Sequence, residues 1–236
     1  MHHRRGNRIL SIAAISGALL LFIGTWLHPM QADPNNALAA FTEYAADSHW
    51  ILSHLMQLAG VALMATALVL LSRLMTGGFA DAIAFVGAAG ATASLAVAAA
   101  LQAVDGIALK ALVYAWASAP ATEKKMLFCA AFAVRQIEIG LAAMTAVLLG
   151  VTASIYGIAL LKDSRFPKWL GVPAIVGGVP TAIAGGAIAY TGFSDLSMNL
   201  DLPSTTLLLL WMISVGVYLW RRPVREDFRI SGPATE

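Results

Sequence analysis

Six times along its 236 residues the chain runs apolar for about twenty residues, over 9–28, 50–72, 82–104, 138–161, 169–190 and 203–220. That is the length an α-helix needs to cross a hydrocarbon core of roughly 30 Å. Inside lipid every backbone N–H and C=O must be bonded internally, which leaves only helices and closed barrels. Apolar and polar residues do not alternate at period two, which argues against an outer-membrane barrel. With 59% hydrophobic and 12% charged residues, the chain is far from the about one-quarter charged composition of soluble domains. The expected fold is all-α: a polytopic transmembrane bundle of six spans over 1–222, followed by a short disordered cytoplasmic tail over 223–236.

The charges then fix the threading. Arg4, Arg5, Arg8, Arg73, Lys162, Arg165, Lys168, Arg221, Arg222, Arg225 and Arg229 all fall on the side that holds the N-terminus. The other side carries Asp33, Glu43, Asp47, Asp105, Glu123, Asp195 and Asp201, with Lys110, Lys124, Lys125 and Arg135 as its bases. Lysine and arginine bias sets orientation, so both termini are expected in the cytoplasm of a bacterial inner membrane. The first apolar run exceeds a signal-peptide core and lacks an A-x-A site after it, so it reads as an uncleaved span. The basic tail "RRPVREDFRISGPATE" suits anionic lipid headgroups better than nucleic acid, and nucleic acid is not expected as a partner. A single cysteine, Cys129, leaves no internal disulfide or CxxC motif.

The connections add detail. "HPMQADPNN" after the first span is rich in turn residues. In the "ALAAFTEYAADS" that follows, Leu38, Phe41 and Ala45 recur at helical spacing, predicting a short amphipathic helix on the outer surface. The fifth span contains Pro173 and Pro180, each expected to remove a backbone donor and kink the helix. Its glycine pairs at 177–178 and 185–186 permit close helix packing.

Between spans three and four lies "GIALKALVYAWASAPATEKKMLFCAAFAVRQIEIG", too apolar for a solvated loop and broken only near Pro120. Helix three is therefore predicted to continue to about 117 and helix four to start near 122. Each would be close to 40 residues, or roughly 55–60 Å, and the pair would project outward as a hairpin. Antiparallel partners in that hairpin sum to about 240, which sets Asp105 opposite Arg135 and Gln102 opposite Glu138. Arg135 and Glu138 are also i,i+3 neighbours on one face. Asp105 and Lys110 would point about 140° apart on an α-helix.

Other polar groups share this level. His28 ends the first span, and His49 and His54 begin the second. His54 lies on one helix face with Trp50 and Gln57, while Tyr190 and Asp195 end the fifth span. Ionisable groups at membrane depth are candidate functional sites. The expected ligand-binding set is His28, His54, Gln102, Asp105, Lys110, Arg135 and Glu138, lining an outward-facing cavity. The competing reading is a structural clamp made by Asp105 and Arg135. His28 and His54 are also candidates to ligate haem b, or zinc or copper together with Glu43 or Asp47. No HExxH or HxxxH spacing is present, so no metal site is assigned and the cofactor is left open. An enzyme would use His54 and Glu138 for proton transfer and Arg135 to steer an anion, but no GxSxG nucleophile motif or P-loop lysine appears.

The run of His-Pro at 28–29, "HWILSHL", "VDGIALK", "RQIEIG" and "GFS" resembles a group of bacterial six-helix membrane proteins of unknown function. The likeness covers about 9–222, and its motif positions are His28, His54, Asp105, Lys110, Arg135 and Glu138. It implies fold and location, and no activity. The expected role is therefore binding, or permitting passage of, a small or lipid-like ligand from the outer leaflet. Two alternatives stand beside it: a membrane-embedded enzyme or haem redox protein using the same residues, and a structural subunit of a larger membrane complex. The apolar hairpin face at 111–117 would serve that subunit for docking.

Overall fold

The computed structural model describes residues 2–75 and 78–222. The chain is helical throughout, with no strand among the described residues. In order the helices are α1 (His2–Leu27), α2 (Ala37–Ala46), α3 (Trp50–Ser72), α4 (Gly78–Gln102), a π-helical segment (Ala103–Leu109), α5 (Lys110–Ser118), α6 (Ala121–Lys162), α7 (Gly171–Thr191) and α8 (Asp195–Arg221). Six stretches are long and apolar enough to cross a membrane, so the protein is a multi-span membrane protein. The tail expected over 223–236 lies outside the described residues.

The spans close a ring. α1 packs on α3, α3 on α4, α4 on α6, α6 on α7, α7 on α8, and α8 returns to α1. Small residues allow the closest of these contacts. A Cβ on Gly150 would lie 2.4 Å from the Gly178 carbonyl oxygen and from the Ala182 nitrogen, and one on Gly60 would lie 2.6 Å from the backbone of Leu21. Lipid gives helices no hydrophobic reason to associate, so such close packing and hydrogen bonds between helices hold the ring. Among the latter, the Tyr156 hydroxyl donates to Leu68 O at 2.7 Å, Trp211 Nε1 to Leu170 O at 2.8 Å and Thr181 to Ser204 at 2.9 Å. Phe85, Trp26 and Ile183 stay exposed on the outside, where lipid would meet them.

An even number of crossings brings the ends of α1 and α8 together. Arg8 lies over the Trp220 ring at 5.6 Å, and Arg222 over Phe166 at 5.0 Å. The turn after α6 joins this basic end, where Arg165 holds Asp163 at 2.6 Å. That guanidinium keeps the Asp163 carboxyl below its ordinary range.

The hairpin between spans three and four forms as its length implied. One arm runs 41 residues, Gly78–Ser118, and the other 42, Ala121–Lys162, with the turn at Pro120. Each arm outreaches the bilayer core. The projecting part is not bare. α2 lies against it, with Phe41 and Tyr44 packed among Val113, Trp116 and Ala131. The buried face of α2 is thus Ala40, Phe41 and Tyr44, whereas Leu38, expected on that face, is 59% exposed. The apolar sequence could not tell inward from outward here, because its neighbour is another apolar helix and not water. Of the docking face expected at 111–117, Val113 and Trp116 are covered by the chain's own α2, and Tyr114 remains exposed. In α7 only Pro180 sits in the helix interior. Pro173 falls in the first turn, where no intrahelical donor is lost.

Candidate functional site

The candidate site lies where the end of α1, the start of α3 and the π segment meet beneath α2. Its centre is His54, in the second turn of α3. Its Nδ1 is 2.7 Å from the Trp50 carbonyl and its Nε2 is 3.0 Å from Asp105 Oδ2. Because a carbonyl only accepts, Nδ1 carries the proton. Nε2 then needs a second proton, or a cation between it and the carboxylate.

Asp105 is delivered by the π segment, whose i→i+5 bonding widens the helix by one residue. The widened turn presents the Asp105 carbonyl to Trp50 Nε1, which donates to it at 3.1 Å. It also changes which way the following residues point. Asp105 therefore meets His54 on α3, and the pairing expected with Arg135 does not form. Gly106, next along, makes the approach possible: a Cβ there would lie 2.6 Å from the Cβ of His54. The other Asp105 oxygen, Oδ1, is buried without a hydrogen-bond partner.

His28 completes the group. Its ring stands 5.0 Å from that of His54 and 4.8 Å from Trp50, centre to centre. Its Nδ1 lies 2.8 Å from the Pro29 carbonyl, so here too Nδ1 is the donor and Nε2 keeps the lone pair. One donor atom from each of His28, His54 and Asp105 lies within 4.8 Å of the others. The carboxylate that joins the two histidines is Asp105, where Glu43 or Asp47 had been the expected candidates. Glu43 is occupied in accepting from the Gln31 and Ala32 amides at 3.0 and 2.9 Å, and Asp47 in accepting from that of His49 at 2.6 Å.

Arg135 and Glu138 bond to each other along α6, both buried. Arg135 also reaches Pro34 O at 3.3 Å and lies over the rings of Tyr44 and Phe193. Gln102 donates to Gln57 at 3.2 Å in place of the expected approach to Glu138. Lys110 turns away from the cluster. Its ammonium donates to the carbonyls of Tyr44, Ala45 and Asp47 at 2.6, 3.1 and 2.7 Å. These are the carbonyls that the C-terminus of α2 leaves unbonded. Tyr190, 93% exposed, and Asp195, also exposed, do not join the group.

The 29–36 connection and α2 thus form a strap over the site, held at four points. Glu43 ties the connection to α2, Lys110 ties α2 to α5, Arg135 holds Pro34, and the Asn35 amide donates to Phe193 O at 3.1 Å. Nothing in the sequence marked the π segment, and without it Asp105 has the wrong direction. The one available signal was Gly106 beside an acid in an otherwise apolar helix.

Comparison with protein-family models, with curated proteins and with solved structures finds no match to this chain. The six apolar helices establish a membrane protein.

Proposed function

We propose that the protein spans a bacterial inner membrane with both termini cytoplasmic, and that it binds a small cationic ligand beneath the strap at the outer end of the bundle. The observation that carries this reading is the Asp105 carboxylate. It is 9% exposed, faces an imidazole nitrogen, and has one oxygen with no partner at all. A buried carboxylate left half-bonded is costly unless something positive completes it. Arg135 does not, because Glu138 already holds it. Counting Asp105 and Glu138 against the one guanidinium leaves a surplus negative charge for a guest.

The rival readings fit less well. Bis-histidine haem needs a flat slot for the porphyrin between the imidazoles. Here the His28 and His54 rings stand 5.0 Å apart, with Trp50 packed on both and Asp105 against His54. A lipid-like guest has an apolar groove between α6 and α7, lined by Val151, Ile155, Ile158, Val179 and Ile183. That groove begins thirteen residues along α6 from Glu138, about 20 Å away, and shares none of the cluster's polar groups.

Two measurements test the proposal. In a Cys129→Ala background, single cysteines at Asn36 and Glu123 should react with an impermeant thiol reagent outside intact cells, and one at Ser164 should not; the reverse pattern overturns the orientation. Native mass spectrometry from mild detergent should find a small cationic adduct on the wild type that Asp105→Asn loses. Identical spectra for the two proteins overturn the binding reading.

A further inference from the structure

We infer that the cation is a divalent transition-metal ion, held by Nε2 of His28, Nε2 of His54 and the carboxylate of Asp105. The inference rests on the small-cation reading above and narrows it to a chemical class.

The two imidazoles are oriented alike. Each gives its Nδ1 proton to a main-chain carbonyl, Pro29 at 2.8 Å and Trp50 at 2.7 Å, so each is left with its lone pair on Nε2. Metal-ligating histidines are held in this way, the outer N–H fixed on a carbonyl so that the other nitrogen is aimed and made more basic. One such histidine is ordinary in a helix start. Two, one in α3 and one just past the end of α1, each offering a ring nitrogen within 4.8 Å of the other's and of an Asp105 carboxylate oxygen, form a coordination set.

The distance between His54 and Asp105 suits an ion as it stands. Zinc sits about 2.0–2.1 Å from imidazole nitrogen and about 2.0–2.2 Å from carboxylate oxygen. An ion at those distances from His54 Nε2 and Asp105 Oδ2, which are 3.0 Å apart, subtends an angle of about 90°. Tetrahedral ligands stand roughly 3.3 Å apart at such bond lengths, so a separation as wide as 4.8 Å closes by about 1.5 Å. His28 sits just past the end of α1, where the helix gives way to the strap, and binding the ion requires its ring to make that movement. The ion would replace the second proton that His54 otherwise needs to face Asp105, and a carboxylate binding it through both oxygens would give Oδ1 the partner it lacks.

Two imidazoles and one carboxylate also choose the kind of ion. Calcium and magnesium take shells made of oxygen. Imidazole suits zinc, copper, iron and nickel. The surroundings agree, because Trp50 lies against both imidazoles and Tyr44 against Trp50 at 4.4 Å. An apolar shell of that kind shuts out bulk water and strengthens each metal–ligand bond. The strap sets access, since His28 is the residue from which it departs.

The test uses the full chain purified in mild detergent and stripped with a chelator. Cobalt(II) is added while its visible absorption is recorded, and zinc(II) then competes for the site. Elemental analysis after desalting gives the stoichiometry. One ion per chain is expected, with cobalt bands characteristic of nitrogen and oxygen ligands. His28→Gln, His54→Ala and Asp105→Asn should each weaken binding by at least ~10-fold, the lower bound for groups that only support a ligand. Tyr190→Phe, at a residue 93% exposed and outside the cluster, should bind as the wild type does. Where His54→Ala does not fold, His28→Gln and Asp105→Asn decide. A folded wild type that takes up neither metal, or affinities equal in all variants, overturns the inference. If an organic cation is retained instead and lost in Asp105→Asn, the metal assignment falls while the small-cation reading survives. If no cation of any kind is retained, both fall.

Discussion

Adding one methyl group at Gly106 tests whether the π segment positions the site. A Cβ there would lie 2.6 Å from the Cβ of His54, 2.9 Å from its Cγ and 3.2 Å from its Cδ2. Carbon atoms in ordinary contact stand about 3.5–4.0 Å apart. The first of these atoms is fixed to the α3 backbone, so turning a rotamer cannot relieve the clash. α3 and the π segment must separate by roughly 1 Å. The His54–Asp105 contact, 3.0 Å in the native protein, would then exceed hydrogen-bonding distance. Overpacking of this kind costs about 1–3 kcal/mol, offset by up to about 1 kcal/mol from alanine's better helix propensity. A net loss of about 1–2 kcal/mol corresponds to a melting temperature lower by several degrees in a chain of this size.

Tryptophan fluorescence during heating in detergent reads that change, and the same protein can be assayed for ligand retention. Gly140 and Gly186 are the controls, since a Cβ at either meets nothing within 4 Å. Gly140→Ala and Gly186→Ala should melt at or slightly above the wild-type temperature and keep the ligand. Gly106→Ala should melt lower and lose it. If all three variants behave alike, the close approach at Gly106 does not hold His54 against Asp105, and the account of the site is wrong.

Lys110→Met removes three hydrogen bonds from the C-terminal carbonyls of α2; the strap should become a preferred target for protease added from outside, with a stability loss of about 1.5–3 kcal/mol. An unchanged cleavage pattern would show that α2 is held by its apolar face alone.

The fold was legible in the sequence because lipid imposes a length rule that composition obeys. A run of about twenty apolar residues has one interpretation, and the over-long stretch around Pro120 could be measured directly in residues. The face of α2 was not legible, since the period-3.6 pattern distinguishes apolar from polar and not lipid from protein. Leu38 and Phe41 are equally apolar, yet one is 59% exposed and the other fully buried.

The polar cluster was legible in part of its membership and not in its pairings. His28, His54, Asp105, Arg135 and Glu138 do gather at one end, because a charge in an apolar span must find company. Which partner each finds depends on angle, and angle was reckoned at α-helical pitch. One π turn between Ala103 and Leu109 breaks that reckoning for every residue after it. The same device explains why Asp105 and Lys110, expected to diverge by about 140° on an α-helix, do different work close together. Asp105 enters the site while Lys110 ties down the strap that covers it. A single widened turn thus places an acid inside and a base at its edge. An insertion or deletion of one residue within 103–109 should separate these two roles more completely than removal of either side chain.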